Sequence, residues 1–367
     1  DVTLLNGTKL KKGDRLTKLD SSNVGTLNVT GSTYAAGIGG GNGEDGGNIT
    51  INGGLITASS SGTGDSLANA GAGIGGGNYA AGGNITINSG IITANGAYHA
   101  AGVGGGYCTS SSTSPVNISP AVVDKGTGKA KSGNITINGG LTYSNGGTHG
   151  DAFGDGCYTY TTSEKYTILV TGGTVIPKAG SGRFDLGGTQ ADVIVLGGSL
   201  KASKFKSIEG SVAYGDMDKT TKVFMTEISL KSFGIDKVGT TLVDDIDMKI
   251  NGVHYNYGVP SYTDSEGNLY FWLPDTNKGA EVSVDLDVLD KQTGEAIKTD
   301  TFFAKDVGTG SNVHLKQYVI FNVDQKLDDS LIKKRYDGLG LNDSEIKAQV
   351  AAMEIETTLP EGGKLTN

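Results

Sequence analysis

The segment Gly-Gly-Asn-Ile-Thr-Ile-Asn-Gly-Gly stands at 46–54 and returns, with one change each time, at 82–90 and 132–140. Each copy follows a glycine cluster of the type Ala-Gly-Ile-Gly-Gly-Gly. Such a repeat leaves few folds open, because equivalent copies must adopt one local structure and bury their apolar side against one another. Aligning the chain on the first apolar residue of the segment gives Leu27, Ile49, Ile85, Ile135, Ile168 and Val193, spaced by 22, 36, 50, 33 and 25 residues. A fixed core with inserts of uneven length suits a solenoid whose coils share stacked strands. A propeller would space its blades evenly.

Within each copy the alternation is strict: Ile49 and Ile51 fall on one side, Asn48, Thr50 and Asn52 on the other. A period of two is that of a half-buried strand. Stacking coils in parallel register would set Ile85 and Ile87 over Ile49 and Ile51 at about 4.8 Å, with an Asn/Thr ladder outside. Ile38, Ile74, Val103 and Phe153 are single apolar residues among glycines at equivalent places. Each is expected to plug the core at a corner where glycine permits the backbone angles or a close approach of coils.

Composition divides the chain. Of 61 glycines, 47 lie in residues 1–210; that half carries 14 Lys/Arg against 13 Asp/Glu, and residues 211–367 carry 16 against 26. Two regions of different construction follow. The second contains alternating runs such as 222–230, 268–273 and 281–288, punctuated by turns like Asp264-Ser-Glu-Gly267, and reads as an antiparallel, β-sandwich-like module. Its one tryptophan, Trp272, between Phe271 and Leu273, is expected in a core or at a domain junction. A short helical pattern at 344–355 precedes Pro360-Glu-Gly-Gly, which reads as a linker toward a further module. No stretch of 18 apolar residues is present to span a membrane. The start at Asp1 without Met is that of a processed protein or a segment of a longer one. Cys108 and Cys157 follow consecutive glycine clusters, one residue out of step. Stacked coils could bring them within bridging distance, implying an oxidising extracellular setting; the alternative is two thiols packed in corners.

Chemistry is narrowed by what the repeat lacks. No Lys or Arg occurs between Lys18 and Lys125, and Glu44, Asp45 and Asp65 are the sole acids from 21 to 123. Nucleic acid needs a basic stripe, and a polyanion-cleaving lyase needs cationic groups or a metal, so this face suits neither. Glycoside hydrolysis requires two carboxylates across a cleft. The candidates are Asp151, Asp155 and Glu164, then Asp185 and Asp192, with His149 beside the first pair. The competing role for corner aspartates is to tie turns through backbone amides. Gly40-Gly41-Asn42-Gly43-Glu44-Asp45 resembles the start of a calcium-binding turn, which makes Glu44 and Asp45 a calcium candidate. The equivalent turns at 76–79 and 105–108 carry no acid, so no cofactor is expected otherwise.

Neutral sugars are recognised by amides and hydroxyls together with an aromatic face. The glycine-rich half offers Asn/Thr ladders and tyrosines, of which Tyr98, Tyr107, Tyr143, Tyr158 and Tyr160 are the binding candidates, with His149, Asp151 and Asp155. The long insert 107–132 interrupts the repeat, and loops that leave a repeat are where binding usually sits. The bland alternative is that these tyrosines cap corners.

The Ala-Gly-Ile-Gly-Gly-Gly and Gly-Gly-Asn-Ile-Thr-Ile-Asn-Gly-Gly segments over about 36–200 resemble the glycine-rich repeats of large bacterial cell-surface adhesins and carbohydrate-binding β-helix proteins. Tyr262-Thr-Asp-Ser-Glu-Gly-Asn-Leu-Tyr-Phe-Trp-Leu-Pro274 resembles a segment that follows such repeats. The resemblance implies a secreted or wall-attached protein and brings no catalytic motif.

The expected architecture is all-β. A lead-in at 1–20 precedes a right-handed parallel β-helix over 21–215, a β-sandwich-like domain over 221–325, and a linker or the start of a further module over 326–367. The expected function is non-catalytic adhesion or binding of a neutral glycan or host surface through the β-helix side. The alternatives are a polysaccharide-degrading enzyme centred on Asp151, Asp155 and Glu164, a structural stalk, and a crystal- or ice-binding face; the Asn-x-Thr-x-Asn ladder is short for the last.

Overall fold

The computed structural model describes residues 2–3, 9–10, 24–62, 70–107, 133–156, 165–188, 190–208, 212–214, 221–229, 245–250, 253–254, 264–274, 282–289, 296–304 and 314–316. All regular structure among them is β-strand. A short antiparallel pair, β1 (Val2–Thr3) and β2 (Lys9–Leu10), comes first. Cys108, Cys157, Tyr158, Tyr160 and Glu164 lie outside the described residues, as do most of the 107–132 insert and the 344–355 pattern.

From residue 26 the chain lays down three strands per turn. The first turn is β3 (Thr26–Gly31), β4 (Ile38–Gly39) and β5 (Asn48–Ile51); the second is β6 (Leu55–Ser60), β7 (Ile74–Gly75) and β8 (Asn84–Ile87). The third is β9 (Ile91–Asn95), β10 (Val103–Gly104) and β11 (Ile135–Ile137); the fourth is β12 (Leu141–Asn145), β13 (Phe153–Gly154) and β14 (Tyr166–Val170). The fifth is β15 (Thr174–Lys178), β16 (Leu186–Gly187) and β17 (Ala191–Val195), and the sixth is β18 (Ser199–Leu200), β19 (Phe205–Lys206) and β20 (Val212–Tyr214). Strands of successive turns pair in parallel, giving three stacked sheets, the arrangement of a β-solenoid.

The register is the one the repeat predicts. Ile49 and Ile51 pair with Ile85 and Ile87, and these with Ile135 and Ile137. In the second sheet Ile38, Ile74, Val103, Phe153 and Leu186 form one column. These side chains line a continuous core in which Ile74, Ile87, Ile135, Phe153 and Ile168 are fully buried. Leu27 departs from the expectation: it pairs with Ile56 in the first sheet and has no place in the Ile49 column. Strands of both sheets share the alternation and a following glycine, so pattern alone does not separate them.

Glycine sets how closely the turns can stack. Gly39, Gly75, Gly104, Gly154 and Gly187 form a column beside the second-sheet plugs, with φ between 129° and 142°. A Cβ at Gly39 or Gly75 would overlap the carbonyl oxygen of the next glycine in the column. Both the angle and the close approach therefore demand glycine there.

Past the sixth turn the third sheet continues, first through one more parallel pair and then through antiparallel ones. β20 pairs with β27 (His314–Lys316), β27 with β21 (Thr221–Ser229), and β21 with β24 (Asn268–Pro274). β22 (Asp245–Ile250), β23 (Val253–His254), β25 (Val282–Leu289) and β26 (Ala296–Ala304) make a separate antiparallel sheet. β24 lies against β18 and closes the end of the solenoid core. Trp272 is buried there, its ring edge-on to Phe205 at 5.3 Å and its Nε1 donating to the Leu200 carbonyl at 3.1 Å. The backbone N–H of Tyr270 donates to Ser199 Oγ at 2.6 Å. Trp272 is thus both core and junction, and a tryptophan so placed contributes about 3–5 kcal/mol relative to alanine. No helix among the described residues is long and apolar enough to cross a membrane.

The glycine column makes a paired prediction. Gly75→Ala should lower stability by about 2–3 kcal/mol through its positive φ and the overlap with Gly104. Gly41→Ala, where an added Cβ meets nothing within 4 Å, should change it by less than about 0.5 kcal/mol. Urea unfolding of both variants checks this; equal effects would contradict the column's role.

Candidate functional site

Asparagine side chains in register bond to one another along the outer face of the third sheet. Asn84 Nδ2 donates to Asn48 Oδ1 at 3.1 Å, and the backbone N–H of Asn134 donates to Asn84 Oδ1 at 3.3 Å. On the other side of the threonines, Asn88 Nδ2 donates to Asn52 Oδ1 at 2.7 Å and Asn138 Nδ2 to Asn88 Oδ1 at 2.8 Å. Thr50, Thr86 and Thr136 pair as a column between these two. Asn48, Asn52, Asn84, Asn88, Asn134 and Asn138 are all exposed. Asparagine fits here because its short amide spans the strand spacing while donating one way and accepting the other. Within the column Asn88 uses one N–H and one lone pair, leaving one of each for solvent or a ligand. The panel ends at the fourth turn, where Leu169 takes the threonine position and is buried.

The acidic candidates occupy a different place. Asp151 and Asp155 are fully buried in the corner before and after Phe153. Asp151 Oδ1 accepts from the Phe184 N–H at 3.0 Å and forms an ion pair with Arg183, lying 3.0 Å from its Nε. Its Oδ2 accepts from the Asp155 N–H at 3.1 Å and from an Arg183 terminal nitrogen at 3.1 Å. Arg183 thus reaches from the fifth turn back to the fourth and also donates to the Gly156 carbonyl at 2.9 Å. The Asp155 carboxylate is hydrogen-bonded to the Tyr166 hydroxyl, which burial and these acids push well above the ordinary phenol range. Asp185 is buried too, accepting from the backbone of Ala179, Ser203 and Lys204. Asp192 Oδ1 accepts from the Ser207 hydroxyl at 3.2 Å. Asp151, Asp155 and Asp185 are therefore corner ties with buried side chains.

Burial pushes the Asp151 carboxyl up to about 7, against the pull of Arg183 and with a further upward push from Asp155. A carboxyl whose folded value lies above its unfolded one binds its proton more tightly in the native state. It contributes stability in full below about pH 4 and loses it as pH rises toward 7. The stability of the wild type relative to Asp151→Asn should accordingly fall between pH 4 and 7, as read by urea unfolding across that range. A constant difference would contradict the assignment.

The aromatic candidates gather at the neighbouring corners. The His99 and His149 rings stack at 5.0 Å, Tyr98 meets His149 edge-on at 5.5 Å, and His99 lies 5.2 Å from Tyr107. Tyr79, whose φ of 61° is the single positive value at a non-glycine among the described residues, tilts against Tyr107 at 5.6 Å. Tyr107 and His99 are buried, whereas Tyr98 and His149 are half-buried. Burial, then the nearby His149 and Arg183, hold His99 below the ordinary imidazole range, and hence neutral at pH 7. Tyr107 therefore packs inside, leaving Tyr98 and His149 as the described members of the candidate set with surface to offer. Tyr143 stands apart, since its hydroxyl accepts from the Ser265 N–H at 2.9 Å and docks the 264–267 turn onto the solenoid.

Glu44 and Asp45 are exposed, and Asp45 Oδ1 accepts from the Ala81 N–H at 2.8 Å. Among the described residues no three metal-ligating side chains converge. Two partners were missed from sequence: Arg183, which holds Asp151, and His99, which stacks on His149. The isolation of Arg183 in a nearly arginine-free half was the signal available for the first. No protein-family model, curated protein or solved structure matches the chain. Its residues offer a neutral, ordered amide and hydroxyl panel beside corners whose buried acids are held by backbone amides, Arg183 and Tyr166.

Proposed function

We propose that the protein is a non-catalytic glycan-binding adhesin of a bacterial cell surface, and that it meets its ligand through the side of the solenoid. The observation that carries this is the panel of exposed Asn columns flanking the Thr column, whose amides are fixed by cross-turn hydrogen bonds of 2.7–3.1 Å and keep donors and acceptors pointing outward. Side chains ordered before binding lose little entropy on contact, which favours a weakly attractive, uncharged ligand. The buried state of Asp151, Asp155 and Asp185 supports binding without turnover, because hydrolysis needs two carboxylates facing the scissile bond. The same proposal takes the three-sheet stack as a right-handed parallel β-helix, the hand usual for parallel crossovers, with a β-sandwich-like module behind it in a longer surface protein.

Incubation of the full chain with an array of neutral and acidic glycans tests this. Retention of neutral glycans, eluted unchanged in length, is the expected result. Shortened products would favour a polysaccharidase, and no retention at all would favour a structural stalk.

A further inference from the structure

The geometry points to one ligand class for the panel: an extended neutral polysaccharide of equatorially linked pyranoses, a flat ribbon lying along the solenoid axis across the first three turns. This rests on the glycan-binding proposal and narrows it. Three features of the panel coincide. The columns repeat at the parallel strand spacing, about 4.8 Å, so an axial ligand meets the same side chains once per turn. A ribbon of equatorially linked sugars advances by a similar length per residue, whereas an α-linked glucan coils away from a straight line. Asn48, Asn84 and Asn134 form one edge and Asn52, Asn88 and Asn138 the other, with Thr50, Thr86 and Thr136 between.

That cross-section matches a pyranose ribbon. Its faces are C–H rich and its hydroxyls project from the two edges. The threonine column offers methyl groups under the face. The asparagine columns, separated along the strand by four residues or about 13 Å, offer donors and acceptors to the edges. The charge pattern agrees over the first two turns, since no Lys or Arg occurs from 19 to 124 and the acids from 21 to 123 are three; Lys125, Lys129 and Lys131 precede the third panel strand but are not part of it. An acidic polymer would find no cation among the panel residues. Leu169 ends the polar column, so the ligand length read is that of three turns.

The test uses the full chain with insoluble mannan and chitin as neutral ribbons, amylose as a neutral coil, polygalacturonate as an acidic polymer, and ice as a flat lattice. Retention on the ribbons at least about tenfold stronger than on amylose or polygalacturonate is expected. Thr86→Lys should weaken ribbon binding about tenfold or more by setting a desolvated ammonium under the sugar face, with an unchanged melting temperature because Thr86 lies on the outer side of its strand and is only half-buried. Thr57→Lys, at an exposed first-sheet position, is the control and should leave binding intact. Equal retention on ribbons and amylose overturns the ribbon assignment while the glycan-binding proposal stands. So does ribbon binding that Thr86→Lys leaves untouched. Retention on ice alone, or on none of the polymers, overturns both. The ribbon-to-amylose ratio is read on the wild type, so it decides the matter even if a variant fails to fold.

Discussion

Everything in this molecule depends on how closely one turn of backbone can approach the next. In the second sheet the approach is so tight that Gly39, Gly75, Gly154 and Gly187 leave no room for a side chain, and the φ values of their column, Gly104 included, suit none but glycine. That contact fixes the translation between turns. Once it is fixed, strands of successive turns fall into parallel register and apolar residues stack into one core. The asparagines must then lie over one another, so the amide columns on the surface are a consequence of glycine packing at a distant corner.

The same demand for register explains the departures from the repeat. In the fourth and fifth turns the corner gains acids, and Arg183 bridges the two turns by holding both oxygens of Asp151. An ion pair buried in this way secures geometry more than it adds net stability, because taking the charges out of water offsets much of their attraction. At the far end the exposed core would be a liability, and β24 covers it with Trp272 and Tyr270. Two different devices, a charged tie and an aromatic plug, therefore keep the last turns stacked where the asparagine ladder has run out.

Much of the fold was legible in the sequence because it is written in period and repetition. The Ile49, Ile85, Ile135 column, the corner plugs and the Asn ladder follow from alternation and spacing, and the structure holds them in register. Leu27 was misplaced because strands of two different sheets share one alternation. The site was less legible, for a physical reason. Whether an aspartate faces solvent or a turn amide depends on side-chain direction and on partners distant in sequence. Asp151 and Phe184 are 33 residues apart, and Tyr143 and Ser265 are 122 apart. No local pattern encodes contacts of that range, so spacing leaves the aspartates open between a cleft and a corner tie, whereas alternation alone places the Asn/Thr ladder on the outer face.

The ordered asparagine panel is the proposed ligand-binding surface. The most direct measurement is to follow the side-chain amide NMR resonances of the full chain while a soluble β-linked mannan oligosaccharide is added. Saturable shifts are expected at Asn52, Asn84, Asn88 and Asn138, with the corner groups around Asp151 and Arg183 unmoved. Shifts confined to the Tyr98 and His149 corner, with the asparagine columns silent, would contradict it.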